Sequence, residues 1–64
     1  MRYSEVVKKL CKAGWVEVRV CGSHHQFKHV RSVYVVTVPK HSGKDVSIGV
    51  IKRIEGITGL SLLR

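Results

Sequence analysis

The chain has 64 residues, enough for one small domain spanning residues 1–64 with a single thin core. Hydrophobic residues make up 44% of it, which excludes a disordered tail, and 12 Lys and Arg against 4 Asp and Glu give a net charge of +8. This charge favours a polyanionic partner, nucleic acid first, over a domain whose charge only keeps it monomeric.

The cysteine content and the hydropathy of the chain indicate the cellular compartment to expect for it. The only cysteines are Cys11 and Cys21, and the N-terminal segment contains neither a secretory signal nor an apolar run that could span a membrane. Two such cysteines do not make a disulfide framework. We therefore expect a cytoplasmic protein with two reduced, partly buried thiols.

The first predicted element is a helix in YSEVVKKLCKAGW, residues 3–15. Ser4 is suited to the N-cap, Glu5 to the positive end of the first turn, and Gly14 to the left-handed position after the C-terminus. Its apolar face consists of Val6, Val7 and Leu10.

The hydrophobic period then changes to two, which indicates strands. In WVEVRV the residues Trp15, Glu17 and Arg19 alternate with three valines, so a half-buried first strand is predicted. Its inner face would be Val16, Val18 and Val20. Gly22 and Ser23 form the predicted turn to a second strand, HHQFKH, which covers residues 24–29.

A third strand and a second helix complete the chain. VYVVTVP, residues 33–39, is rich in β-branched residues and ends at Pro39, whereas the preceding Arg31-Ser32 is only a weak turn signal. After the polar loop KHSGKD, a helix is predicted that is capped by Asp45 or Ser47 and ends at Gly56. Its apolar stripe would be Ile48, Val50, Ile51, Ile54 and Ile57, and the tail after it is expected to dock or fray.

The predicted order is α-β-β-β-α, an α+β fold. Two helices on one face of a three-stranded antiparallel sheet would bury both apolar stripes. The other sheet face would stay open to solvent or to a partner.

The segment CGSHHQFKH raises the question of a metal site. Two cysteines and several histidines are residue types that zinc prefers, but nine residues separate Cys11 from Cys21, and a preorganised zinc site uses closer pairs. Neither a metal nor another cofactor is therefore expected.

Strand alternation separates the histidines. Phe27 marks the core face of the second strand, and His25 and His29 share its parity, so both are expected to be packed or edge residues with satisfied ring nitrogens. His24 shares the opposite parity with Gln26 and Lys28 and should project from the open face.

The open-face position gives His24 a possible chemistry. An imidazole changes protonation near neutral pH and can take the proton from an RNA 2′-hydroxyl, so that the alkoxide attacks the adjacent phosphate without a metal. Lys28, Lys40 and His41 could hold the phosphate, and Gly22 would let a ribose-phosphate chain approach the backbone closely.

Four stretches of the sequence resemble the YcfA/HicA family of HicA-type toxins, which are small mRNA interferases. They are GW at residues 14–15, GSHH with FKH at 22–29, VTVPKH at 36–41, and GKD followed by the last helix up to Gly56. Two segments differ from the family pattern. VRSVY replaces the usual Gly- or Asp-containing hairpin turn, and the residues after Gly56 fit poorly.

The resemblance implies a double-stranded-RNA-binding-like fold, ribosome-independent cleavage of mRNA, and neutralisation by a HicB-type antitoxin. The histidine that follows Gly-Ser in the family motif falls on His24, in agreement with the parity argument, and the same motif includes Gly22 and Ser23. Two other functions remain open. A non-catalytic RNA-binding module would use the same basic face, and a structural domain would pair its exposed sheet edge with another chain.

Overall fold

Five elements follow one another in the predicted order α-β-β-β-α in a computed structural model that describes residues 1–63. The three strands form one antiparallel sheet in the order β1-β2-β3, which confirms the predicted fold. The elements are α1 (Tyr3–Lys12), β1 (Val16–Cys21), β2 (His24–Lys28), β3 (Val36–Pro39) and α2 (Ile48–Thr58).

The core lies between the two helices and the half of the sheet formed by β2 and β3. Both helices contact β3, and the fully buried side chains come from all four of these elements. No polar side chain is buried with them in the part of the chain that the structure describes. The core side chains are Val6, Leu10, Trp15, Phe27, Val36, Val38, Val46, Ile51, Ile54 and Leu62.

The start of α1 differs from the prediction, whereas its end agrees. Arg2, not Ser4, is the N-cap, because its extended backbone lets the Glu5 carboxylate accept the Arg2 N–H at 3.1 Å. At the other end Gly14 follows the C-cap with φ +97°, the left-handed conformation expected for it.

The predicted inner face of β1 is wrong. Val16, Val18 and Val20 are 61%, 55% and 51% exposed, and the strand extends beyond the two helices. A β-bulge between Glu17 and Arg19 also breaks the alternation, so Val16 pairs with an open-face residue and Val20 with a helix-side one. The same shift turns Glu17 toward the helices.

The third strand is shorter than predicted. It begins at Val36, whereas residues 33–35 form part of an exposed loop. Continuing the register would set Val35 opposite Lys28, the last residue of β2, and would leave residues 33 and 34 with no strand to pair with, and β-branched composition alone does not make a strand.

The second helix begins as predicted and ends two residues later. The Ser47 hydroxyl accepts the Val50 N–H at 3.4 Å, so Ser47 and not Asp45 is the N-cap. The predicted end at Gly56 is wrong, since the helix runs to Thr58 and Gly59 caps it in the left-handed conformation. Ile48, which the sequence predicts on the apolar stripe, lies in the first turn and is exposed.

The tail after α2 docks on the helices. Leu62 is buried, and its N–H donates to the Glu55 carboxylate at 2.7 Å. The Lys9 ammonium donates to the Leu62 carbonyl at 3.3 Å, so the tail joins α1 to α2.

Candidate active site

The turn between β1 and β2 places the candidate residues. Cys21 and His24 are the last pair of the hairpin, and Gly22 and Ser23 are the two residues between them. Gly22 has φ +60°, the left-handed value that a two-residue hairpin turn needs at its first central position. A Cβ at Gly22 would meet no atom within 4 Å, so the space beside this backbone is open.

His24 lies on the open face of the sheet, as its parity predicted. Its side chain is exposed, and the hydrogen bonds found within residues 1–63 engage His25 and His29 but not the His24 ring. Cys21 and Pro39 are its cross-strand neighbours on either side. The imidazole is therefore available to a ligand.

His25 and His29 are half-buried and hydrogen-bonded, as predicted, although only Nδ1 of the His25 ring has a partner among residues 1–63. His25 Nδ1 lies 2.5 Å from the Glu17 carboxylate, and its ring packs on the Tyr3 ring with centroids 5.1 Å apart. His29 Nε2 lies 3.1 Å from the Ala13 carbonyl, while its Nδ1 accepts the Arg31 N–H at 3.0 Å. The partners of His29 indicate that Nε2 carries the proton.

Tyr3 lies beside this histidine–carboxylate pair on the helix side. Its partial burial raises the pKa of the Tyr3 phenol, and the negative charges of Glu17 and Cys11 raise that pKa further. The phenol is therefore neutral at physiological pH. This small cluster is packed against α1 and does not reach the open face.

The three predicted phosphate-binding residues lie in different places. Lys28 is on the open face of β2, four residues from His24, which corresponds to roughly 13 Å along a strand. Lys40 donates its backbone N–H to the Ser23 carbonyl at 2.7 Å, but its ammonium lies 5.2 Å from the centroid of the Tyr3 ring, on the helix side. His41 is exposed in the loop that follows β3. The structure thus brings the Lys40 backbone to the turn but does not place these three side chains around His24.

The open face contains three further polar residues that sequence reasoning did not select. Arg19 pairs with Gln26, and Gln26 pairs with Thr37, so the three form a row across the sheet next to His24. The parity of Gln26 was available from the alternation of β2. The bulge does not change the face on which Arg19 lies, so the alternation of β1 also predicts Arg19 on the open face.

The cysteines and the metal-ligand types are dispersed. Cys11 and Cys21 are free, and both are exposed, which corrects the expectation of partly buried thiols. Cys11 lies on α1 and Cys21 is the last residue of β1, and both side chains face solvent. Within residues 1–63, no three His, Cys, Asp or Glu side chains come together as metal ligands would.

The comparisons with known proteins assign a family. The family model described as the HicA toxin of bacterial toxin–antitoxin systems matches residues 3–60 of the 64-residue chain. The chain therefore belongs to the HicA toxin family. Among curated proteins, none matches it. Neither helix within the described residues is long and apolar enough to cross a membrane.

Proposed function

We propose that this HicA-family toxin is a ribosome-independent mRNA interferase, an endoribonuclease that stops translation and growth by cutting mRNA. The observation that carries the proposal is the exposed His24 ring, which has no partner among residues 1–63 and lies beside an open glycine turn. A net charge of +8 supports RNA as the substrate, because polyphosphate chains are attracted to such a surface.

In the proposed reaction His24 is the general base. Its neutral imidazole takes the proton of an RNA 2′-hydroxyl, and the 2′-oxygen attacks the adjacent phosphorus. The bond from phosphorus to the 5′-oxygen breaks, and this oxygen takes a proton from water. The hydroxide left behind removes the proton held by His24, which restores the neutral imidazole. The products are a 2′,3′-cyclic phosphate and a 5′-hydroxyl end, and the step needs no metal or other cofactor.

The neighbouring residues have supporting roles in this proposal. Gly22 and Ser23 let the ribose-phosphate chain approach the turn, because no side chain fills the space at Gly22. Lys28, Lys40 and His41 bind phosphates along the chain, each at a different point since they do not surround His24. The partner in the cell is a HicB-type antitoxin.

A substrate with one altered sugar tests the proposal. The purified chain should cleave an RNA oligonucleotide, and a 2′-deoxy substitution at the cleaved position should prevent cleavage while the RNA still binds. The products should end in a 2′,3′-cyclic phosphate and a 5′-hydroxyl. Binding without scission of the unmodified RNA would favour a non-catalytic RNA-binding module.

A further inference from the structure

A basic groove lies on the helix side of the molecule, away from the open face. It has a volume of about 310 Å³ and is enclosed by the first turn of α1 and by the loop of residues 40–45. Four basic side chains line it, and the hydroxyl-bearing residues Tyr3, Ser4 and Ser42 lie among them. The basic residues are Arg2, Lys40, His41 and Lys44.

The positive charge of this groove is not neutralised by the chain's own carboxylates. Asp45 is its only acidic lining residue, and the Asp45 carboxylate lies 3.7 Å from the amine of Met1. The other ion pair found among residues 1–63 joins His25 to Glu17. The cations of the groove are therefore left to attract an external anion.

The groove is connected to the turn that carries His24. The backbone of Lys40 is hydrogen-bonded to Ser23, the residue before His24, while the Lys40 ammonium is held over the Tyr3 ring. Pro39 is paired with His24 across the sheet and precedes Lys40 in the chain. An extended phosphodiester chain that passes His24 can thus cross Pro39 and enter the groove.

We propose that this groove is a second RNA subsite, which binds a backbone phosphate outside the cleaved linkage through Arg2, Lys40 and Lys44. The proposal rests on the proposed function, because it takes RNA as the ligand. It adds that the bound RNA follows the end of the sheet from the open face to the helix side. A substrate longer than one linkage should then bind more tightly than a dinucleotide, without faster chemistry at His24.

Reversal of one charge inside the groove, compared with reversal of one charge outside it, tests the subsite. Lys44→Glu changes the groove, whereas Lys12→Glu makes the same change of net charge at an exposed residue in the last turn of α1 that does not line this groove. Both substitutions are made in the His24→Ala protein, so that binding of an unstructured RNA oligonucleotide is measured without cleavage. Circular dichroism confirms folding, and Lys44→Gln replaces Lys44→Glu if the latter does not fold.

The expected result is a specific loss of affinity. Lys44→Glu should raise the Kd about tenfold more than Lys12→Glu and lower the slope of log Kd against log salt by about one unit. With His24 restored, cleavage of a dinucleotide should be equal in the two variants. If cleavage is absent throughout, the proposed function fails, yet the comparison of Kd values still decides on the subsite.

Three outcomes would overturn the subsite. Equal losses of RNA affinity in the two variants would mean that only bulk charge acts. A loss of dinucleotide cleavage as large as the loss of oligonucleotide binding would place Lys44 at the cleaved linkage instead. Unchanged RNA binding with weakened binding of the antitoxin would make the groove a protein-binding surface.

Discussion

His24 and His25 are consecutive in the chain, yet their imidazoles lie on opposite faces of β2. The His25 side chain is 17% exposed and is paired with Glu17, whereas the His24 side chain faces solvent beside the Gly22 turn. Strand geometry alone produces this difference, since successive residues alternate between the two faces of a sheet. The two residues should therefore respond differently to substitution.

His24→Ala should abolish RNA cleavage and growth arrest and leave the free energy of unfolding nearly unchanged. His25→Ala should lower that free energy by about 1–2 kcal/mol, because it removes a hydrogen bond to a carboxylate and a packed ring. Cleavage assays and urea unfolding of both variants check this. An inactive but stable His25→Ala protein beside an active His24→Ala protein would refute the assignment.

Cleavage should persist in EDTA. The proposed step uses an imidazole and water, and neither depends on a bound cation. The measurement compares cleavage rates before and after chelation, with a magnesium-dependent nuclease as the control for complete removal of metal. Activity that is lost on chelation and regained with added zinc or magnesium would contradict the proposed mechanism.

Gly14→Ala should destabilise the fold by about 1–3 kcal/mol. Gly14 has φ +97°, and an added Cβ would lie 2.9 Å from His29 Nε2, an atom that is already held by the Ala13 carbonyl. Gly59→Ala is the matched control, since Gly59 also has a positive φ (+75°) at the end of a helix but its Cβ would meet nothing within 4 Å, so this substitution should cost only the backbone strain. Urea unfolding measures both, and equal effects would show that the His29 contact is unimportant.

High pH should destabilise the protein through Tyr3. The pKa of the Tyr3 phenol is raised by burial and by the charges of Glu17 and Cys11, so the folded state resists ionisation that the unfolded chain undergoes at pH about 10. This contribution to the free energy of unfolding is thus present below pH about 10 and is lost as the pH rises through the pKa of the Tyr3 phenol in the folded state. The difference in ultraviolet titration between wild type and Tyr3→Phe isolates this phenol. Glu17→Gln should lower its pKa, and no change would contradict the proposed cause.

The antitoxin should approach the same face as the RNA. We expect an acidic HicB-type partner that covers the sheet and buries His24, with an association rate that falls as salt increases. Lys28→Glu should slow this association and weaken RNA binding together, whereas Lys52→Glu on an exposed position of α2 serves as the charge-matched control. A complex that leaves His24 open to solvent, or inhibition that Lys28→Glu does not change, would favour an allosteric block.

Local sequence patterns predicted correctly those elements that have a single hydrophobic period and a single face toward the core. The alternation of β2 assigned His25 and Phe27 to one side and His24 to the other, and the spacing of Ile51 and Ile54 assigned the inner face of α2. These signals are sufficient because each element packs against the core along its length.

The errors occur where a residue's environment depends on distant parts of the chain. The valines of β1 are exposed because the helices cover only β2 and β3, and the bulge at Val18 has no sequence signature. Residues 33 and 34 have no strand opposite them because β2 stops at Lys28. At the site, strand parity predicted the open-face position of His24, but the direction of the Lys40 side chain depends on the Tyr3 ring, which lies far earlier in the chain.

The bulged edge strand bears on self-association. β1 has an unpaired outer edge and three exposed valines, which are the ingredients of intermolecular sheet growth. The interruption at Val18 breaks the regular spacing of edge amides and carbonyls, and the charge of +8 keeps like molecules apart. Both features should therefore disfavour pairing of β1 with the β1 of another copy of this chain.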